Sequence, residues 1–237
     1  MIMQTTKVSI NNKIDANFIK IILILYHKKW LMKTRNRGIY RKVRLLRLWV
    51  IFVIMKVMKS YNTLNDYYRK LFGEKTFKVP IDAGFDCPNR DGTVAHGGCT
   101  FCTVSGSGDA IVAPDAPIRE QFYKEIDFMH RKWPDVQKYL VYFQNFTNTH
   151  EKVEVIRERY EQAINEPGVV GINIGTRPDC LPDETIEYLA ELSERMHVTV
   201  ELGLQTTYET TSDLINRAHS YELYVETVKR LRKYPKI

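Results

Sequence analysis

The run Cys87-Pro-Asn-Arg-Asp-Gly-Thr-Val-Ala-His-Gly-Gly-Cys99-Thr-Phe-Cys102 follows directly on a short apolar stretch, residues 77–83, that reads as a β-strand. Three thiolates at a strand end can hold three irons of a cubane and leave the fourth iron without a protein ligand. A closed structural metal site normally takes four ligands. The spacing leaves a second reading open, because Cys-x2-Cys is also a zinc half-site, and Cys87, Cys99 and Cys102 with His96 or Cys180 would make a tetrahedral set. Four cysteines in 237 residues are too few for a disulfide-stapled scaffold, and no secretory signal is evident. A redox pair of thioredoxin type would sit at a helix start and leave Cys87 unexplained.

Outward from this loop, strand and helix patterns alternate. Residue Pro117 opens a helix whose apolar positions Ile118, Phe122, Ile126, Met129 and Trp133 recur at steps of three or four. Residues 139–143 read as a second strand, with 144–150 as its polar exit. Val153, Ile156, Tyr160 and Ile164 then mark one face of a helix, and residues 169–174 a third strand ending in Gly175-Thr-Arg-Pro. A helix carrying Ile186, Leu189, Leu192 and Met196 leads to a fourth strand at 198–204, and Tyr224, Val228 and Leu231 mark a last helix. Short connections between alternating elements predict an α/β fold, a parallel sheet covered by helices.

Several segments together resemble one branch of the radical S-adenosylmethionine (radical SAM) superfamily. They are Ala83-Gly-Phe-Asp-Cys-Pro-Asn-Arg-Asp-Gly, Gly97-Gly-Cys-Thr-Phe-Cys, Ser105-Gly-Ser-Gly-Asp109, Tyr142-Phe-Gln-Asn-Phe-Thr-Asn-Thr149, Gly175-Thr-Arg-Pro-Asp-Cys180 and Glu201-Leu-Gly-Leu-Gln-Thr206. The branch is the YhcC/YtqA-like family, which is similar to the catalytic subunit of Elongator. The resemblance runs from about Met58 to the last residue. It includes the eleven-residue gap between Cys87 and Cys99, where the superfamily at large usually has three.

The resemblance implies a partial (β/α) barrel of about four strand–helix units. It implies a [4Fe-4S] cluster on Cys87, Cys99 and Cys102, and S-adenosyl-L-methionine as the second cofactor. The reaction implied is reductive cleavage of that cofactor to a 5′-deoxyadenosyl radical, with a flavodoxin or ferredoxin as reductant. Modification of a tRNA wobble uridine follows only by analogy with Elongator. Phe101, just before the last cysteine, and the strand-exit residues Gln144, Arg177, Glu201 and Gln205 are the expected cofactor contacts.

For each the residue chemistry keeps a structural alternative. Arg177 can fork onto a carboxylate of the cofactor or pair with Asp179. Glu201 and Gln205, four apart, are expected on one strand face, for ribose hydroxyls or as a satisfied interior pair. Arg217 and His219 also match the branch, and Cys180 reads as a buried thiol.

Charge divides the chain. Residues 1–57 hold thirteen Lys or Arg against a single acidic residue, Asp15, so the formal charge is +12 before Met58 and −5 after it. Such asymmetry suits nucleic acid, an anionic membrane or a targeting segment. The apolar runs at 21–26 and 48–55 fall far short of the roughly 20 residues that span a bilayer. The expectation is a basic extension upstream of a true start at Met58 on a cytoplasmic protein, with a basic amphipathic helix as the competing reading. Against the family pattern, the chain stops near where a fifth strand would begin. This predicts an incomplete barrel whose fourth strand is an aggregation-prone edge. An inactive fragment and a zinc-dependent structural or nucleic-acid-binding module are the other functional readings. The acidic balance after Met58 argues mildly against RNA.

Overall fold

The computed structural model describes residues 61–106 and 111–237. The basic extension at 1–57 and most of the Ser105–Asp109 segment lie outside the described residues. The unit spanning Thr63–Ile237 is an α/β fold built on one four-stranded sheet. In chain order the elements are α1 (Leu64–Phe72), β1 (Thr76–Ile81), α2 (Ile118–His130), β2 (Lys138–Phe143), α3 (Val153–Ile164), β3 (Val169–Thr176), a single 3-10 turn (Pro178–Cys180), α4 (Asp183–Ser193), β4 (His197–Leu202), α5 (Glu209–Leu214) and α6 (Tyr221–Leu231). The strands are parallel in the order β1-β2-β3-β4, as a partial (β/α) barrel requires.

The central strands are apolar almost throughout because helices and barrel interior cover both faces. Leu140, Val141, Phe143, Ile172 and Ile174 are fully buried. Gly171 is required by the close approach of β3 and β4. A Cβ there would stand 2.4 Å from the carbonyl oxygen of His197, its pairing partner, and 2.8 Å from Leu140 Cδ2. The predicted apolar faces of α2, α3 and α4 are the ones buried, through Phe122 and Ile126, Ile156 and Tyr160, and Ile186, Leu189 and Leu192. Phe143 of β2 stacks on Tyr160 of α3 with centroids 4.5 Å apart at 14°.

One buried side chain fixes how β1 enters α2. The amide nitrogen of Gln121 donates to the carbonyls of Asp82 (2.8 Å) and Ala116 (2.7 Å), while its oxygen accepts from the Asp82 amide at 2.8 Å. The helix therefore starts where the strand ends, and the intervening residues are thrown above the C-terminal edge of the sheet.

The structure adds two helices that the apolar pattern does not mark. Helix α1 buries only Tyr68; Thr63 caps its start and Gly73, with φ +83°, ends it in the left-handed conformation. Helix α5, Glu-Thr-Thr-Ser-Asp-Leu, buries no residue and so leaves no periodic signal. Strand β4 is shorter than expected. It ends at Leu202, and Gln205 lies beyond it with φ +70°, so Gln205 and Glu201 do not share a strand face as neighbours. As an edge strand, β4 is only half-buried. Val198, Val200 and Leu202 border an apolar trough of about 800 Å³ closed by Leu71, Val228 and Ile237. No helix among the described residues is long and apolar enough to cross a membrane.

Candidate cluster and cofactor site

Cys87, Cys99 and Cys102 open into one cavity of about 400 Å³ at the C-terminal ends of the strands. That is within the range of small-molecule sites. The loop bearing them turns tightly. Asn89 accepts from the Gly98 amide at 2.8 Å, Cys87 accepts from the Arg90 and Asp91 amides, and Gly97 and Gly98 sit at φ +81° and +76°, where a side chain would be strained. Cys99 is buried, Cys87 half-buried and Cys102 exposed. Desolvation, followed by the neighbouring Cys99 and Cys87, pushes the Cys102 thiol up, so the three sulfurs feel one another. Among the described residues no three His, Cys, Asp or Glu side chains converge into a finished metal cage.

The donor set nevertheless fits a thiolate-bound cluster. The Asn89 amide lies 3.4 Å and the Arg217 Nη1 3.6 Å from Cys99 Sγ, so N–H donors already point at one of the sulfurs. Arg217 is buried, its Nη2 donates to the Gly203 carbonyl at 2.6 Å, its Nε has no partner, and among the described residues no carboxylate pairs with it. A buried guanidinium of this kind calls for an anion in the cavity.

Every expected contact residue borders the same cavity: Phe101, Gln144, Arg177, Glu201 and Gln205. Their partners differ. Phe101 is 51% exposed, available to cover a ligand. Arg177 is fully engaged, with Nε and Nη2 on the Asp179 carboxylate at 2.9 and 2.7 Å and Nη1 on the Arg217 carbonyl at 3.1 Å. Glu201 gathers Lys78, the Tyr142 hydroxyl at 2.9 Å and the Asn173 amide at 3.1 Å. Of the other residues after β2, Thr147 reaches the cavity, whereas Asn145 donates to Asp82 and Asn148 to the Gly175 carbonyl at 2.8 Å, bracing the strand ends.

Neither proposed fourth zinc ligand borders this cavity. Cys180 is buried against His150, Sγ to Nδ1 3.9 Å, and desolvation holds its thiol far above the ordinary range. His150 in turn meets Asp91 of the cysteine-bearing loop, Nε2 to Oδ2 2.7 Å. His219 borders a neighbouring cavity of about 340 Å³ with Tyr208 and Tyr221.

Residues that the sequence reading passed over complete the site. Tyr142 and Phe146 line it. Phe146 adopts φ +54°, rare for an aromatic residue, with the Arg90 guanidinium 4.7 Å over its ring and Gly106 held against its edge. Alternation along β2 places Tyr142 on the same face as Leu140, which could have flagged it; nothing in the chain foretold the backbone twist at Phe146.

Residues 90–236 match the family described as the radical SAM superfamily. Over 176 residues the chain is 57% identical to YtqA of Bacillus subtilis (strain 168), covering 74% of this chain and 54% of that protein. It is 37% identical over 180 residues to YhcC of Escherichia coli (strain K12), covering 76% and 57%. The chain thus spans little more than half the length of these curated relatives. Among solved structures, the archaeal Methanocaldococcus infernus Elp3 with an N-terminal deletion aligns with a TM-score of 0.42 at 16% identity, covering 64% of this chain and 34% of that one.

Proposed function

This chain belongs to the radical SAM superfamily, and from that premise we propose that Cys87, Cys99 and Cys102 hold a [4Fe-4S] cluster and that the cavity beside them takes S-adenosyl-L-methionine. The observation that carries the proposal is the convergence of three thiols, one buried guanidinium with no carboxylate partner among the described residues, and the strand-exit polar groups on a single cavity. When bound, the reduced cluster supplies the electron that splits the cofactor's sulfonium bond, giving methionine and a 5′-deoxyadenosyl radical.

The chain's residues divide the remaining work. Arg217, whose Nη atoms meet the Cys99 sulfur and the Gly203 carbonyl but no carboxylate among the described residues, is the better partner for the methionine carboxylate, because the fork of Arg177 already neutralises Asp179. Arg177 then acts through Arg217, whose carbonyl it holds. Gln144 and Gln205 offer amides to the ribose, Glu201 sets the polar floor, and Phe101 closes the outer wall against water. The tRNA substrate enters the proposal through the resemblance to Elongator alone, and a flavodoxin or ferredoxin through the need for one electron.

Anaerobic reconstitution of the full chain with iron and sulfide, followed by electron paramagnetic resonance of the reduced protein with and without S-adenosylmethionine, tests this. The expected result is a reduced-cluster signal that shifts on adding the cofactor. It should vanish in Cys87→Ser, Cys99→Ser and Cys102→Ser and survive in Cys180→Ser and His96→Ala. Tight zinc that depends on Cys180 or His96 would overturn it.

A further inference from the structure

We propose that Asn89, which is not a ligand, is a positioning residue for the cluster: its side-chain amide donates to the Cys99 sulfur and stabilises the reduced state. The inference rests on the cluster reading above.

Asn89 lies two residues after Cys87 and is wholly buried. Its Nδ2 serves two acceptors, the Asn216 carbonyl at 2.5 Å and Cys99 Sγ at 3.4 Å. A carbonyl can only accept, so the Asn216 contact fixes which end of the amide faces the loop, and the second N–H hydrogen is left for the sulfur. The cost of this orientation is visible. Asn89 Oδ1 is buried with no partner among the described residues, so the orientation that serves the sulfur leaves an acceptor unsatisfied. An apolar side chain of that size would free this acceptor but would leave the Asn216 carbonyl and the Cys99 sulfur without their donor. One N–H therefore holds the turn and the other is directed at the sulfur.

The surrounding backbone holds the donor in place. Asn216 returns two hydrogen bonds from its own amide, to the His96 carbonyl at 3.0 Å and the Gly98 carbonyl at 2.8 Å, and the Thr100 amide donates to the Ile215 carbonyl at 3.1 Å. The turn after α5 is thus locked onto the cluster loop, with Asn216 and Ala218 both in the left-handed region at φ +53° and +57°. Loop, turn and Asn89 form one rigid collar around Cys99.

Hydrogen bonds to sulfur are among the terms that set the potential of a cluster, and outer-shell donors orient and tune the ligands they touch. An N–H aimed at a thiolate favours the more negative, reduced state. Removing it should lower the midpoint potential.

The test is a redox titration, followed by paramagnetic resonance, of the reconstituted full chain and of Asn89→Leu, together with resonance Raman spectra of the wild type in H2O and D2O. We expect Asn89→Leu to load the same iron per chain, to titrate at a lower potential, and to lose part of the deuterium-sensitive shift of the Fe–S stretching bands. A loaded Asn89→Leu with an unchanged potential overturns the inference and leaves the cluster reading intact. Should Asn89→Leu fail to load, the D2O spectra of the wild type and of Arg217→Leu decide: a deuterium-sensitive shift that persists without the Arg217 guanidinium supports the inference, and a shift that is absent or lost with that guanidinium overturns it. A wild-type chain that takes up no cluster overturns both.

Discussion

The Tyr142 hydroxyl on β2 donates to the Glu201 carboxylate on β4 across the intervening strand at 2.9 Å. With Lys78 from β1 and Asn173 from β3 on the same carboxylate, each of the four strands contributes one polar side chain to a single knot on the barrel's inner face. Burial pushes the Glu201 carboxyl up, but the hydrogen bonds from Lys78 and Tyr142 outweigh it and hold the group below its ordinary range. Tyr142→Phe removes one donor and should cost about 1 kcal/mol, whereas Glu201→Leu strands three donors and should cost about 1–3 kcal/mol. Urea unfolding of the two single variants and the double variant checks this, and the double variant should fall short of the sum.

Arg177 and Asp179 make the best-formed buried ion pair of the site, with side chains 3% and 13% exposed. Asp179→Ala leaves the guanidinium buried without an anion and should destabilise the chain by about 3–5 kcal/mol. Because Arg177 also holds the Arg217 carbonyl, the same variant should weaken cofactor binding, read as a smaller shift of the cluster signal at a fixed S-adenosylmethionine concentration.

The cysteine-bearing loop is tied down by an acid-sensitive contact. Hydrogen bonds from the backbone and then the side chain of Thr93, followed by His150, hold Asp91 at about 2, below its ordinary 3.8. A carboxylate whose folded value is depressed adds stability above its unfolded value and loses it as pH falls through the folded one. The advantage of wild type over Asp91→Asn should therefore be complete above pH 3.8 and fade as the pH approaches 2. Unfolding midpoints of both proteins across that interval would show it; a difference that grows toward low pH would contradict the assignment.

Gly171→Ala should be among the most disruptive single-methyl changes in the chain. The added carbon meets backbone at 2.4 Å, not the movable end of a side chain, so β3 and β4 must part. Overpacking of this kind costs about 1–3 kcal/mol. Gly175→Ala, whose nearest contact is 3.3 Å away, should cost less in the same thermal unfolding assay.

The fold was readable to the extent that burial imposes a period. The strands containing Tyr139, Val169 and Val198, and the helices carrying Phe122, Tyr160 and Leu189, lie where the apolar spacing put them, because each packs against the one core. Helices α1 and α5 escaped, since one buries a single tyrosine and the other nothing. The end of β4 was misplaced by two residues, because Gly203-Leu204 stays apolar enough to read as strand, while the left-handed turn at Gln205 leaves no mark in the pattern.

At the site, sequence by itself determined the chemistry on offer. Three cysteines at those spacings, with a matched order of segments around them, point to the family and to the thiols proposed as ligands, because the donor atoms on offer are a property of residue type. Which polar groups stay available depends on how the chain packs in space. Arg177 and Arg217 are equal as letters, and the first spends its fork on Asp179 while the second is buried beside Cys99 without a carboxylate. Asn89 and Asn216 lie 127 positions apart and share one hydrogen bond. Pairings at that range depend on where the chain returns in space, and a local pattern has no term for it.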